Sequence, residues 1–218
     1  MQTKRKNKES LIILGSLLVF IGLCMAGYKY YGYVSELESE DIAIEEFYQQ
    51  ESEFSEKENK IAQQESEFSK KKNQEKSPKY DYIAMLTIPK IDLQKGLVDK
   101  NSKYNNIRYN VMIHKVSNMP NEEKGNVILI AHSGSARYSF FKNLNKLNLS
   151  DLIKIEYKGK TYNYKIVDIY DIEKTGKASI KRNHNKSVIT LITCRHNTNR
   201  QIVIIGEMQW KQIIKSYH

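Results

Sequence analysis

Ser187-Val188-Ile189-Thr190-Leu191-Ile192-Thr193-Cys194 is an apolar, largely β-branched run that ends on a thiol. β-Branched side chains suit the pleated surface of a sheet, so the run predicts a strand closing at Cys194. Asn197-Thr198-Asn199 is turn-rich, and Arg200 then opens a second apolar run, Ile202-Val203-Ile204-Ile205. Upstream, Asn126-Val127-Ile128-Leu129-Ile130-Ala131 delivers His132 into the small-residue turn Ser133-Gly134. A thiol at a strand end, with an arginine at the start of the next strand, is a place for nucleophilic chemistry. The competing reading is a buried structural cysteine. Cys194 is, however, the only cysteine outside the apolar N-terminal segment, so its own domain offers no disulfide partner.

These stretches, with Leu86-Thr87-Ile88-Pro89-Lys90-Ile91-Asp92 before them, resemble a sortase, a cysteine transpeptidase of the Gram-positive cell surface. The order histidine, cysteine, arginine is the family's order, and the resemblance covers roughly residues 80 to 208. It implies an all-β fold, a closed, antiparallel-rich, eight-stranded barrel with short helices. It also implies a constellation of Cys194 as nucleophile, His132 as the acid for the leaving amine, and Arg200 for the developing oxyanion. The implied substrates are secreted proteins with a C-terminal LPxTG-like sorting signal, cleaved through a thioester on Cys194. An amine of a cell-wall precursor, of the lipid II type, would accept the acyl group; water as acceptor would make the site a protease. Ala178 and Ile180, on the loop after Asp171, are expected against the signal, as are Thr193 and Ser133 beside the two reactive residues. No metal or cofactor is implied. The interval from Asp171 to Lys186 is too short for the long extra helix of class B sortases, which leaves a class A-like or class D-like enzyme.

Other residues compete for these roles. His196, two residues past Cys194, would share its face if the strand continued. His114 reads as a packing or surface residue, and His184 lies in the basic loop Lys181–Lys186. Cys194 with His196 alone is no zinc site. Arg195, adjacent to Cys194, is expected on the opposite face as solvent-facing charge, whereas the turn is expected to return Arg200 beside Cys194. Two other classes fit parts of the chain. A non-enzymatic surface adhesin would also carry a stalk and a β domain, and a papain-like hydrolase would also use a cysteine, but usually before its histidine in sequence.

The flanking segments follow from composition. Residues 1–10 are a basic tail, and 11–33 combine an uncharged run, Leu11 to Gly27, with a following belt of tyrosines. That pattern predicts an uncleaved signal anchor, N-terminus inside and domain outside; the competing reading is a cleaved signal peptide, but Ala26-Gly27 makes no convincing A-x-A site. Residues 34–79 form a polar segment in which Gln49-Gln50-Glu51-Ser52-Glu53-Phe54-Ser55 recurs as Gln63–Ser69. Phe47, Phe54, Ile61 and Phe68 share one heptad position, half of what a coiled coil needs, so a helical stalk contributing no core is expected. Residues 80–218 are the catalytic domain, with strands expected near 82–89, 94–98, 110–114, 126–131, 152–157, 161–170, 187–193 and 201–207, and a short helix over 140–147. The net charge of +10, from 35 basic and 25 acidic residues, is spread along the chain without a nucleic-acid motif. Attraction to an anionic wall or membrane surface is one account of it, and general surface solubility is the other.

Overall fold

Eight strands make one nearly closed, barrel-like sheet, in the spatial order β2-β1-β5-β6-β8-β7-β4-β3. They are β1 (Tyr82–Ile88), β2 (Leu93–Val98), β3 (Met112–Ile113), β4 (Asn126–Ile130), β5 (Leu152–Tyr157), β6 (Lys160–Glu173), β7 (Val188–Cys194) and β8 (Arg200–Met208). This computed structural model describes residues 2–60, 80–175, 177, 178 and 180–209, with α1 side chains at 14–36 and 39–51. Every expected strand is present. The helix expected over 140–147 is reduced to a single 3-10 turn, Leu144–Lys146. Its apolar residues are drawn inward individually, Phe141 and Leu144 being fully buried, so burial rather than helix periodicity sets their spacing.

All neighbouring strands pair antiparallel except β4 and β7, which run parallel from Asn126↔Val188 to Ile130↔Ile192. Lys158 and Gly159, both at positive φ, form the tight β5–β6 turn read from Lys-Gly-Lys. Where β2 meets β3 the seam is bridged by side-chain amides. Asn110 donates to the Gly96 carbonyl at 3.0 Å, and Asn105 both donates to the Ile113 carbonyl and accepts from its N–H. The barrel interior holds Leu86, Leu129, Ile153, Ile155, Leu191 and Ile204 among others. Outside the sheet, a second cluster joins Ile128, Val188, Ile192, Val203 and Ile205.

Helix α1 (Gln2–Lys60) contributes to two compact units, Met1–Ile42 and Ala43–His218. In the first unit, Leu14, Leu17, Leu18, Val19, Phe20 and Leu23 are exposed on a helix long and apolar enough to cross a membrane. In the second, Ala43 and Phe47 are each only 2 % exposed and pack with Tyr80, Tyr82, Met85 and Val98. Gln94 donates to the Tyr48 hydroxyl at 2.8 Å, that hydroxyl donates to Glu156, and Glu51 accepts from the Gly159 N–H. The expectation that residues 34–79 contribute no core is therefore corrected for this part. One phenylalanine per heptad is too few for a coiled coil, yet enough to anchor a helix on an apolar sheet surface. Tyr82 builds that surface by lying over Gly96, where an added Cβ would stand 2.2 Å from its ring. The Phe54 side chain, Ile61 and Phe68 lie outside the described residues.

Phe47→Ala is expected to lower stability by about 3 kcal/mol, the usual scale for a buried phenylalanine, as read from the denaturation midpoint of the full chain. An unchanged midpoint would show that the helix does not share the barrel's core. Tyr164 tests the interior. Its hydroxyl is buried with no hydrogen-bond partner among the described residues, and burial pushes the phenol well above its ordinary range. Tyr164→Phe should leave stability unchanged or slightly raised, because it deletes a desolvated group that gains nothing in return; a clear loss would contradict this.

Candidate active site

In a parallel pair both chains leave the sheet at the same end. The β4–β7 register ends at Ile130↔Ile192, so His132 and Cys194, each two residues further on, emerge side by side. Three hydrogen bonds fix the histidine's backbone there. The Ala131 N–H donates to the Ile192 carbonyl at 3.4 Å, the Thr193 hydroxyl donates to the Ala131 carbonyl at 2.7 Å, and the Phe141 N–H donates to the His132 carbonyl at 3.0 Å. Deeper in the same strand pair, the Thr190 hydroxyl meets the Asn126 side-chain oxygen at 2.9 Å. His132 is exposed and Cys194 half-buried, so both can meet a ligand from solvent.

Strand alternation sorts the faces. Leu191 and its β8 neighbour Ile204 point into the barrel, whereas Ile192 and Val203 belong to the outer cluster. Cys194 continues the outer face and pairs with Gln201. Thr193, expected against the substrate, is instead buried on the inner face at 2 % exposure, its hydroxyl already committed to Ala131. Ser133 is half-buried directly after His132. Ile180 packs against the outer apolar cluster, and Ala178 is exposed nearby in sequence; Gly176 and Ser179 of that loop lie outside the described residues. Tyr170, which composition gave no reason to single out, secures this loop. Its hydroxyl accepts from the Lys181 N–H at 2.8 Å, and the Lys181 ammonium lies 5.2 Å from its ring centroid. Burial raises the Tyr170 phenol above its ordinary range.

The arginines are arranged differently from expectation. The ladder runs one pair past Cys194, since the Arg195 N–H donates to the Arg200 carbonyl at 2.9 Å. Gln201 therefore stands opposite Cys194, and Arg200 stands opposite Arg195, on the face away from the cysteine. Arg195 is not simply a solvent-facing charge: its Nε lies 2.6 Å from Asp171 Oδ1, and Arg200 Nε lies 3.7 Å from Oδ2 of the same carboxylate. Asp171 was legible only as the start of the loop interval after the expected strand 161–170. Its role follows from the β6–β8 register, Asp171↔Ile202, which sets it diagonally across from both arginines.

The other histidines take separate places. His196 is exposed in the β7–β8 turn, where the strand has already ended and alternation no longer brings it to the cysteine's face. His114 hydrogen-bonds the Ile128 carbonyl through its backbone N–H, and His184 is exposed. Among the described residues, no three or more His, Cys, Asp or Glu side chains converge as a metal site requires.

Comparison with known proteins places this arrangement. The sortase-domain family model matches residues 86–209. Among solved structures, a Clostridium perfringens sortase D5 transpeptidase is 20 % identical, with a TM-score of 0.58, covering 79 % of this chain and 99 % of that one. A lid mutant of sortase A from Corynebacterium diphtheriae is 23 % identical, with a TM-score of 0.53 over 59 % of this chain and 70 % of that one. Sortase C2 of Group B Streptococcus pilus island 1 is 22 % identical, also with a TM-score of 0.53, over 59 % and 74 % of the two chains. No curated protein matches. The family match spans more than half of the sequence and includes the histidine, the cysteine and both arginines: the chain belongs to the sortase family of cysteine transpeptidases.

Proposed function

We propose that this protein is a membrane-anchored transpeptidase that cleaves an LPxTG-like sorting signal through Cys194 and passes the acyl group to a cell-wall amine. The observation that carries the reading is the parallel β4–β7 register, which delivers His132 and Cys194 to one sheet end. The Cys194 thiolate attacks the carbonyl carbon of the signal's threonine. As the tetrahedral intermediate collapses, the carbon–nitrogen bond to the following residue breaks and His132 gives its proton to the departing amine. A thioester remains. The acceptor amine then attacks that carbonyl, loses a proton to His132, and expels the thiolate, so the enzyme returns to its starting state. Arg200, the family-position arginine, starts on the face away from Cys194, and its exposed side chain reaches round the end of β8 to steady the oxyanion or hold the signal. Ile180 and the outer apolar cluster offer the signal's leucine and proline a nonpolar surface, with Ala178 and Ser133 at its margins. The charge pattern of residues 1–33 places the N-terminus in the cytoplasm and the barrel outside, where lipid II-type amines and secreted substrates are found.

Intact mass spectrometry with a sorting-signal peptide tests the chemistry. An acyl adduct on Cys194 that added amine discharges is expected, and Cys194→Ala should form none. Adducts discharged equally fast by water alone would indicate a protease, and no adduct on a folded protein would remove the reading. His132→Ala is expected to lose nearly as much activity as Cys194→Ala without unfolding. If His196→Ala were the more damaging change, the histidine assignment would be wrong. Thr193→Val, which keeps the shape but deletes the hydroxyl, should cost about 1 kcal/mol of stability and slow acylation by loosening the Ala131–His132 backbone. Wild-type acylation rates in Thr193→Val would show that the hydrogen bond does not position the histidine. High-salt washing should leave the full chain in the membrane fraction, and release would refute the anchor.

A further inference from the structure

Three strand ends meet on the face opposite Cys194, and they bring together one carboxylate and two guanidinium groups. Arg195, just past the end of β7, and Arg200 on β8 stand directly opposite each other, an arrangement of like charges that is unfavourable alone. Asp171 on β6 answers both, but unequally. Its Oδ1 holds Arg195 Nε at 2.6 Å, while Oδ2 stands 3.7 Å from Arg200 Nε. The side chains differ in the same sense, Arg195 being 38 % and Arg200 53 % exposed, with Asp171 at 25 %. One negative charge cannot compensate two positive ones. The less closely held cation is the more exposed arginine, at the first residue of its strand, where neighbouring backbone confines its side chain least.

We infer that Asp171 is a positioning residue that holds Arg195 closely and Arg200 only loosely, so that Arg200 can leave it to engage the substrate. The inference rests on the proposed role of Arg200. Asp171 has two opposed effects: its attraction steers both arginines, and its commitment to Arg195 prevents it from locking Arg200. Removing Asp171 releases a second cation that repels and competes with Arg200. Removing Arg195 turns the whole carboxylate onto Arg200 and holds that guanidinium away from the cysteine's face. Removing both leaves Arg200 as the single arginine, neither repelled by a second cation nor held by the carboxylate.

The test is a cycle of full-length protein in detergent: wild type, Asp171→Asn, Arg195→Gln and the double variant, with kcat and KM for acceptor-dependent cleavage and a thermal midpoint for each. Each single variant is expected to lose about tenfold in kcat, and the double to recover to within about threefold of wild type, a coupling of the size found for residues in contact. The midpoint should recover less fully than kcat, because the double variant relieves the arginine repulsion but has lost the ion pair altogether. A merely structural Asp171 predicts that activity follows the midpoint and that the double variant is no better than the worse single; either result overturns the inference. So does an unchanged kcat in Asp171→Asn. Arg200→Ala and Cys194→Ala run alongside. Arg200→Ala with wild-type kcat would overturn both the arginine's role and the inference, and an active Cys194→Ala would overturn the proposed chemistry beneath them. An inactive Cys194→Ala and a slow Arg200→Ala, with no recovery in the double variant, remove the Asp171 inference alone.

Discussion

Parallel pairing of β4 with β7 is the constraint on which the site depends. Antiparallel neighbours would send the ends of the two strands to opposite edges of the sheet, and a histidine closing one could not meet a cysteine closing the other. Parallel strands need a long connection between them. Here the intervening chain passes through β5 and β6 before β7 returns beside β4, so the residues from His132 to Ser187 include much of the barrel wall. The site therefore exists only once the barrel has formed. Its local geometry is then fixed by short-range contacts, the Thr193 hydroxyl on Ala131 and the Phe141 N–H on His132.

The pairing also explains why β4 and β7 were conspicuous in the sequence. A strand covered on both faces reads as a continuous apolar run rather than an alternating one. Asn126–Ile130 and Val188–Thr193 are such runs because one face fills the barrel and the other supports the outer cluster that includes Ile180. β5 and β6 alternate instead, Ile153, Ile155 and Tyr157 pointing in while Lys154 and Glu156 are more exposed, and their hairpin was legible from the Lys-Gly-Lys turn. The strand content, and the placing of His132 and Cys194 at the ends of two such runs, could thus be read from composition and order, with the family resemblance supplying the barrel.

What could not be read depends on register or on contacts distant in sequence. The arginines differ from expectation by one residue: the ladder continues to Arg195–Arg200, so the pair opposite Cys194 is completed by Gln201. A single step reverses the face of every side chain that follows. Asp171 acquires its partners from strands more than twenty residues away, and no local pattern announces that. The same holds for Phe47. Its heptad spacing signalled a helix but not which surface would cover it, and that surface required Tyr82 to lie flat over Gly96.

The distribution of polar groups across β7 follows from these two faces. A nucleophile must be open to substrate, whereas the groups that orient it gain most where water does not compete. Thr193 and Cys194 are adjacent, so alternation sends one inward and the other outward. The inward hydroxyl is buried and bonded to the backbone beside His132, and the outward thiol is half-exposed next to apolar Ile192 and Val203. A threonine is well suited to the inner position because its methyl packs in the barrel while its hydroxyl reaches across to β4. Serine would keep the hydrogen bond but give up the methyl's packing, and valine would keep the packing but strand the Ala131 carbonyl without that donor. The pair Thr193-Cys194 therefore couples the rigidity of the barrel interior to the accessibility of the thiol through a single peptide bond.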